Sequence, residues 1–259
     1  MCLFSEKVIE MEDDAYTIRN LWIERRQSDS GFRLEVPEFR IKRGEFVAIV
    51  GSTGCGKSTL LDILGLVLRP DGAAQFEFAC PRKGLRDVLR MPGWEMTRIR
   101  RESLGYVLQS GGLLAFLSVG ENILLPAKLK GGISDKRRRL RDLTTRLGIS
   151  DQLSKSPQFL SGGQRQRASI ARALIHDPVI VLADEPTAAV DRLTAEKIAD
   201  QFKELAASTG ASVIMVTHDT TLVAPICDRA YSFEIRREVG GLVVSRCHEL
   251  VKTVTAPSK

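Results

Sequence analysis

Gly51-Ser52-Thr53-Gly54-Cys55-Gly56-Lys57-Ser58 follows the pattern G-x-x-x-x-G-K-[ST]. It stands between a short apolar run, Phe46 to Val50, and an apolar stretch of helical spacing that opens near Thr59. That strand, loop and helix setting is the one in which the pattern binds phosphate. Glycines let successive backbone N–H groups turn inward around phosphate oxygens, and the helix N-terminus adds a favourable dipole. At these positions Lys57 is expected to reach the β- and γ-phosphates of a nucleotide and the Ser58 hydroxyl to ligate Mg²⁺. A pair of carboxylates adds to this chemistry, because the apolar run Val179 to Ala183 ends in Asp184-Glu185. Asp184 would hold Mg²⁺ through water. Glu185, next along and pointing differently, suits general-base or water-orienting work on a γ-phosphate. A helix N-terminal cap before Pro186-Thr187 is the structural alternative for both.

Positioning these residues takes strands that end together. Phe46 to Val50, Val179 to Ala183 and Val213 to Thr217 are apolar, β-branched runs of the kind that form buried parallel strands. Each is followed by residues that could do chemistry, as at the strand carboxyl ends of an open α/β sheet. From Tyr16 to Ile41 the alternation predicts an antiparallel pair, broken at Ser28-Asp29-Ser30-Gly31. From about Met91 to Leu153, Arg, Lys and Leu at helical spacing dominate, strand runs disappear, and Pro92-Gly93, Gly111-Gly112 and Gly131-Gly132 punctuate. This stretch is expected to be a helical subdomain inserted between core strands. Thr255 to Lys259 has the composition of a loose tail.

Composition narrows the classes. With 259 residues, 43% of them hydrophobic and 27% charged, the chain has the make-up of a folded globular protein of one large or two small domains. The net charge of +6 is too mild to argue for nucleic acid. It is also unevenly placed. Arg82 to Arg101 holds seven basic and two acidic residues, and Lys136 to Arg146 six and one, so each carries +5 and the remainder 6 − 10 = −4. No apolar run approaches the ~20 residues that cross a bilayer, and the N-terminus lacks a signal-peptide pattern. Five scattered cysteines (Cys2, Cys55, Cys80, Cys227, Cys247) form no C-x-x-C pair, which points to a reducing cytoplasm rather than to disulfides or zinc.

Leu160-Ser161-Gly162-Gly163-Gln164-Arg165-Gln166-Arg167, leading into Ala168 to Leu174, resembles the signature motif of ABC-transporter ATPases, and the similarity extends over nearly the whole chain. Taken alone, these residues make either a second anion site at a helix N-terminus or a plain capping turn. The resemblance implies that Ser161, Gly162, Gly163 and Gln164 bind the γ-phosphate held by an opposite subunit. It thus implies a head-to-tail dimer, of two copies or of this chain and a homologous ATPase, with two ATP molecules between them. It further implies that Gln109, after Leu104 to Leu108, touches Mg²⁺ and the attacking water, and that His218 contacts the γ-phosphate. Asp191 would be the acidic residue of the D-loop Ala188-Ala189-Val190-Asp191, which is plainer than usual in the family.

On this reading the catalytic set is Glu185, His218 and Gln109, the metal set Ser58, Gln109 and Asp184, and the cofactors ATP and Mg²⁺. Gly51 through Thr59 and Ser161 through Gln164 hold the nucleotide. The implied fold is an α/β P-loop NTPase core with a parallel sheet, an antiparallel β subdomain and an inserted helical subdomain. The core would span about 15–90 and 175–245, and the helical subdomain about 91–174. Leu104 to Gln109, Ser118 to Ile123 and Leu182 to Thr187 look most like the lipoprotein-release, macrolide-export and cell-division branch. That branch implies an ATPase subunit peripheral to the cytoplasmic face of the inner membrane, with integral-membrane permease subunits on separate chains and no nucleic acid. The +5 clusters would then lie toward the membrane partner or anionic lipid, or simply be solvated helix faces. The other class is a soluble, non-transport ABC ATPase serving repair, translation or cluster assembly. A third is a nucleotide switch that binds without hydrolysing. Where the family has an adenine-stacking aromatic, this chain reads Ile23 to Gln27 with none; Trp22, Phe32 or an Arg guanidinium are the substitutes. Cys55, within the phosphate loop, predicts sensitivity to thiol reagents.

Overall fold

The computed structural model describes residues 14–27, 30–80, 84–131, 135–188, 190–238 and 241–250. In chain order the first elements are β1 (Asp14–Gln27), β2 (Ser30–Lys42), β3 (Phe46–Val50), α1 (Lys57–Leu64), β4 (Gln75–Cys80) and β5 (Gly84–Asp87). Then come α2 (Gly93–Ser103), β6 (Leu104–Val107), α3 (Val119–Lys130), α4 (Lys136–Arg146) and α5 (Gly162–Leu174), with short 3₁₀ turns before α5. The last are β7 (Ile180–Asp184), α6 (Arg192–Thr209), β8 (Ser212–Thr217), α7 (Thr220–Val223), β9 (Arg229–Arg237) and β10 (Leu242–Leu250).

The strands join one curled mixed sheet in the order β5-β4-β1-β2-β10-β9-β3-β8-β7-β6. From β9 to β6 all neighbours are parallel. β1 pairs antiparallel with β2 and β4, β4 with β5, and β10 with β9, while β10 joins β2 in parallel. Alternate residues of the central strands enter two separate apolar cores. Phe46, Ala48, Val181, Ala183, Val213 and Met215 meet α3, α5 and α6 on one face. Val47, Ile49, Ile180, Leu182, Ile214 and Val216 meet α1, α2 and the antiparallel strands on the other. Burial on both faces is why these strands read as unbroken apolar runs.

The expected strands agree with β3, β7 and β8 to within a residue, and the Tyr16–Ile41 pair is β1 with β2. Ser28, Asp29, Arg82, Lys83, Gly132, Ala189, Cys2 and the tail Thr255–Lys259 lie outside the described residues. One expectation is corrected. Strand runs do not disappear after Met91, because β6 pairs in parallel with β7 at the edge of the sheet. At four residues, one of them Gly105, β6 is too short to show a periodicity. A Cβ on Gly105 would lie 2.4 Å from the Ala173 carbonyl oxygen, so α5 can cross this strand closely only where no side chain intervenes.

Candidate active site

Strand register brings the chemistry to one edge. Val50 of β3 pairs with Thr217 of β8, Val216 with Asp184 of β7, and Ala183 with Val107 of β6. The residues that follow these strands, Gly51, His218, Glu185 and Gln109, therefore leave the sheet side by side. This is the strand carboxyl edge at which open α/β sheets bind ligands.

The phosphate loop bends through left-handed backbone at Gly54 (φ 81°) and Gly56 (φ 102°) before α1 begins at Lys57. Lys57 is 7% exposed. Its Nζ donates to the carbonyls of Gly51 at 2.8 Å and Ser52 at 2.9 Å, holding the start of the loop against its end. Phe32, Thr53, Gly54, Gly56, Lys57, Ser58, Thr59 and Glu185 line a cavity of about 290 Å³. Cys55 is buried beneath the loop. That runs against the expected sensitivity to thiol reagents, because the buried thiol is shielded from solvent.

Glu185 takes a left-handed backbone conformation (φ 42°), unusual outside glycine, while its N–H donates to Val216 at 2.9 Å. The chain turns sharply there, which carries the carboxylate to the cavity. His218, exposed at the end of β8, places Nδ1 3.2 Å from Glu185 Oε2, with the Nδ1–H tautomer donating. Asp184 is half-buried, and burial, then the charges of Glu185 and Asp62, raise its carboxyl above the usual range, with Lys57 opposing. A cation beside Asp184 would relieve this crowding. The oxygen donors here, the Ser58 hydroxyl and the Asp184 carboxylate, fit Mg²⁺, which takes few protein ligands and completes its shell with water and phosphate. No cluster of three or more His, Cys, Asp or Glu side chains forms a metal cage among the described residues.

Gln109 and the residues at the start of α5 do not line the cavity. Gln109 is exposed just beyond β6. Ser161, Gly162, Gly163 and Gln164 open α5 as a capping box, in which Ser161 Oγ accepts from the Gln164 N–H and Gln164 Oε1 accepts from the Ser161 N–H. Asp191 caps α6 by accepting from the Thr194 N–H at 3.0 Å. Of the aromatic candidates, Phe32 is on the cavity wall. Trp22 instead stacks under Arg33 at 4.9 Å and packs on Gly72. In the basic clusters, Arg86, Arg90, Arg98 and Arg101 pair with nearby carboxylates. Arg139 pairs with Asp177 at 2.5 Å. Arg137, Arg138 and Arg141 are exposed on α4.

Sequence reasoning missed Arg172. Its guanidinium donates to Gly112 at 2.6 Å and Gly111 at 3.0 Å, tying the signature helix α5 to the turn that follows Gln109. An arginine at helical spacing reads as solvated. The one signal was the glycine pair, whose left-handed turn turns its carbonyls toward α5.

Residues 34–188 match the ABC transporter family model. The macrolide export ATP-binding/permease protein MacB 1/2 of Paracoccus denitrificans is 42% identical over 185 residues, which is 71% of this chain and 27% of that protein. The lipoprotein-releasing system ATP-binding protein LolD of Gluconobacter oxydans is 37% identical over 220 residues, 83% of this chain and 92% of that protein. This chain thus spans about a quarter of the macrolide-export relative and nearly all of the lipoprotein-releasing one. Among solved structures, an ATP-binding cassette in a dimeric post-hydrolysis state with ADP and Pi superposes with a TM-score of 0.73 at 33% identity. The match covers 91% of this chain and 99% of that one.

Proposed function

The chain belongs to the ABC transporter ATP-binding family, and from that premise we propose that it binds and hydrolyses ATP to drive conformational change in separate membrane subunits. The observation that carries this reading is the hydrogen bond between His218 and Glu185 at the cavity that Lys57, Ser58 and the phosphate loop also line. The loop N–H groups and Lys57 would hold the phosphates, and Phe32 would lie against the base. Glu185 would orient the attacking water and accept its proton, while His218 steadies that carboxylate and the γ-phosphate. Ser58 and Asp184 would hold Mg²⁺, which neutralises developing phosphate charge, and Gln109 would approach the same centre from β6. The products are ADP and phosphate.

Ser161, Gly162, Gly163 and Gln164, exposed or half-exposed at the start of α5, would complete the site of a second copy or a homologous ATPase. The division into a core and a helical subdomain belongs to the same proposal, with β6, which the expected helical range 91–174 included, counted in the core because it pairs with β7. Permease subunits on other chains would anchor this one at the cytoplasmic face of the inner membrane, a reading supported by the likeness to a lipoprotein-releasing ATP-binding protein over 92% of that protein's length; no helix among the described residues is long and apolar enough to cross a membrane. The cavity of about 300 Å³ lined in part by Leu66, Leu68, Phe76 and Met96, together with the exposed Val67 and Trp94, supports such docking. Relatives named for macrolide export and lipoprotein release favour this over the soluble repair, translation or cluster-assembly reading. The test is Glu185→Gln, which should bind ATP as the parent does but lose about a hundredfold or more of its turnover. Parental turnover in that variant would overturn the assignment of Glu185.

A further inference from the structure

We propose that Ser245, on the C-terminal strand β10, is a positioning residue of the phosphate loop: its hydroxyl sets the Cys55–Gly56 peptide so that the Gly56 N–H faces the bound phosphates. The inference rests on the nucleotide reading above and deepens it. β10 lies beyond residues 34–188, the stretch matched by the family.

A loop whose N–H groups converge on an anion must turn its carbonyls the other way, and those carbonyls need donors of their own. Most find them locally. Gly51 and Ser52 accept from Lys57 Nζ, and Gly56 accepts from the Leu60 N–H at 2.9 Å. Cys55 is different. Its carbonyl accepts from Ser245 Oγ at 2.5 Å, a donor 190 residues away along the chain. A trans peptide is planar, with C=O and N–H on opposite sides. Drawing the Cys55 carbonyl toward β10 therefore aims the Gly56 N–H away from the sheet, toward the cavity that Gly56 lines.

The surroundings give this bond a fixed floor. Ser245 is 0% exposed. Cys247, two residues on and so on the same strand face, is also buried, and burial with the neighbouring Cys55 pushes its thiol up to about 12. Phe233, the register partner of Cys247, would lie 3.3 Å from a Cβ on Gly51. Leu34 of β2 would lie 3.3 Å from a Cβ on Gly56. β2, β9 and β10 thus close the underside of the loop, and Ser245 is their hydrogen-bonding contact with its backbone.

The experiment compares the full-length parent with Ser245→Ala, Ser245→Thr and, under reducing conditions, Ser245→Cys. ATP and ADP dissociation constants, KM and kcat at saturating ATP, and the thermal midpoint are measured for each. Ser245→Ala should weaken ATP and ADP binding about tenfold, the loss of one buried hydrogen bond with its acceptor left unpaired. Its kcat should stay within about twofold. Ser245→Thr, which keeps the hydroxyl, should recover most of the affinity, and Ser245→Cys, a weaker donor, should fall between. The cysteine and threonine variants carry the comparison if the alanine variant does not fold. Parental affinity in Ser245→Ala, or in Ser245→Cys where that variant stands in, would overturn the proposal. So would equal losses in all the substituted chains, which would mark a packing role. A parent that binds neither nucleotide would instead overturn the nucleotide reading.

Discussion

His218 and His176 differ less in their chemistry than in what surrounds them. His218 is exposed and bonded to Glu185. His176 is 2% exposed, with Nε2 3.0 Å from the Leu104 carbonyl. Burial lowers the His176 pKa from 6.5 to about 4. The Leu104 hydrogen bond and Asp177 oppose the shift, and the charges of Lys130 and Arg139 add to it. The folded pKa lies below the unfolded one, so the unfolded chain takes up a proton first as the pH falls. The contribution of His176 is full above about pH 6.5 and is lost as the pH drops toward 4, by about 3 kcal/mol. Replacing it with Gln should remove that much of the difference in denaturant-measured stability between pH 7 and pH 4; identical pH slopes in the two proteins would contradict the shift. At this scale the sequence displays side-chain identity and spacing, enough to single out Lys57, Asp184, Glu185 and His218. It does not display burial, so His176 carried no signal and Cys55 was misjudged.

Between elements, a few close approaches decide how α1, β6 and α5 fit. A Cβ on Gly65, just past α1, would lie 1.4 Å from the Tyr106 hydroxyl of β6. Gly65 has ordinary right-handed backbone (φ −75°), so its need is for space and not for conformation. Gly65→Ala should therefore destabilise the fold by about 2–3 kcal/mol through overpacking. Combining it with Tyr106→Ala should cost less than the two single changes added together. Strictly additive losses in denaturant titrations would show that the two residues do not share that space. The central strands were legible because burial on both faces left unbroken apolar runs. β6 was not, because its existence depends on pairing with β7, more than seventy residues away, and no local pattern encodes a pairing partner.

For the whole molecule, the signature residues stand apart from the cavity that the phosphate loop lines, which is the arrangement a head-to-tail pair of cassettes would use. With ATP, the Glu185→Gln variant should elute as a dimer in gel filtration, and adding Ser161→Arg should return it to a monomer. A dimer that survives the added arginine would sink the sandwich arrangement. The sequence by itself determined the phosphate loop, the acidic strand end, the signature motif and the central parallel strands, because each is encoded by neighbouring residues and a local periodicity. Tertiary structure alone decided which strand ends stand side by side and which aromatic reaches the cavity. It also brought Arg172 to the turn after Gln109, and Ser245 beneath a loop 190 residues before it. Those contacts join segments far apart in the chain. They arise when the sheet closes its register and buries both faces, and that register is a property of the packed molecule, not of any stretch of it.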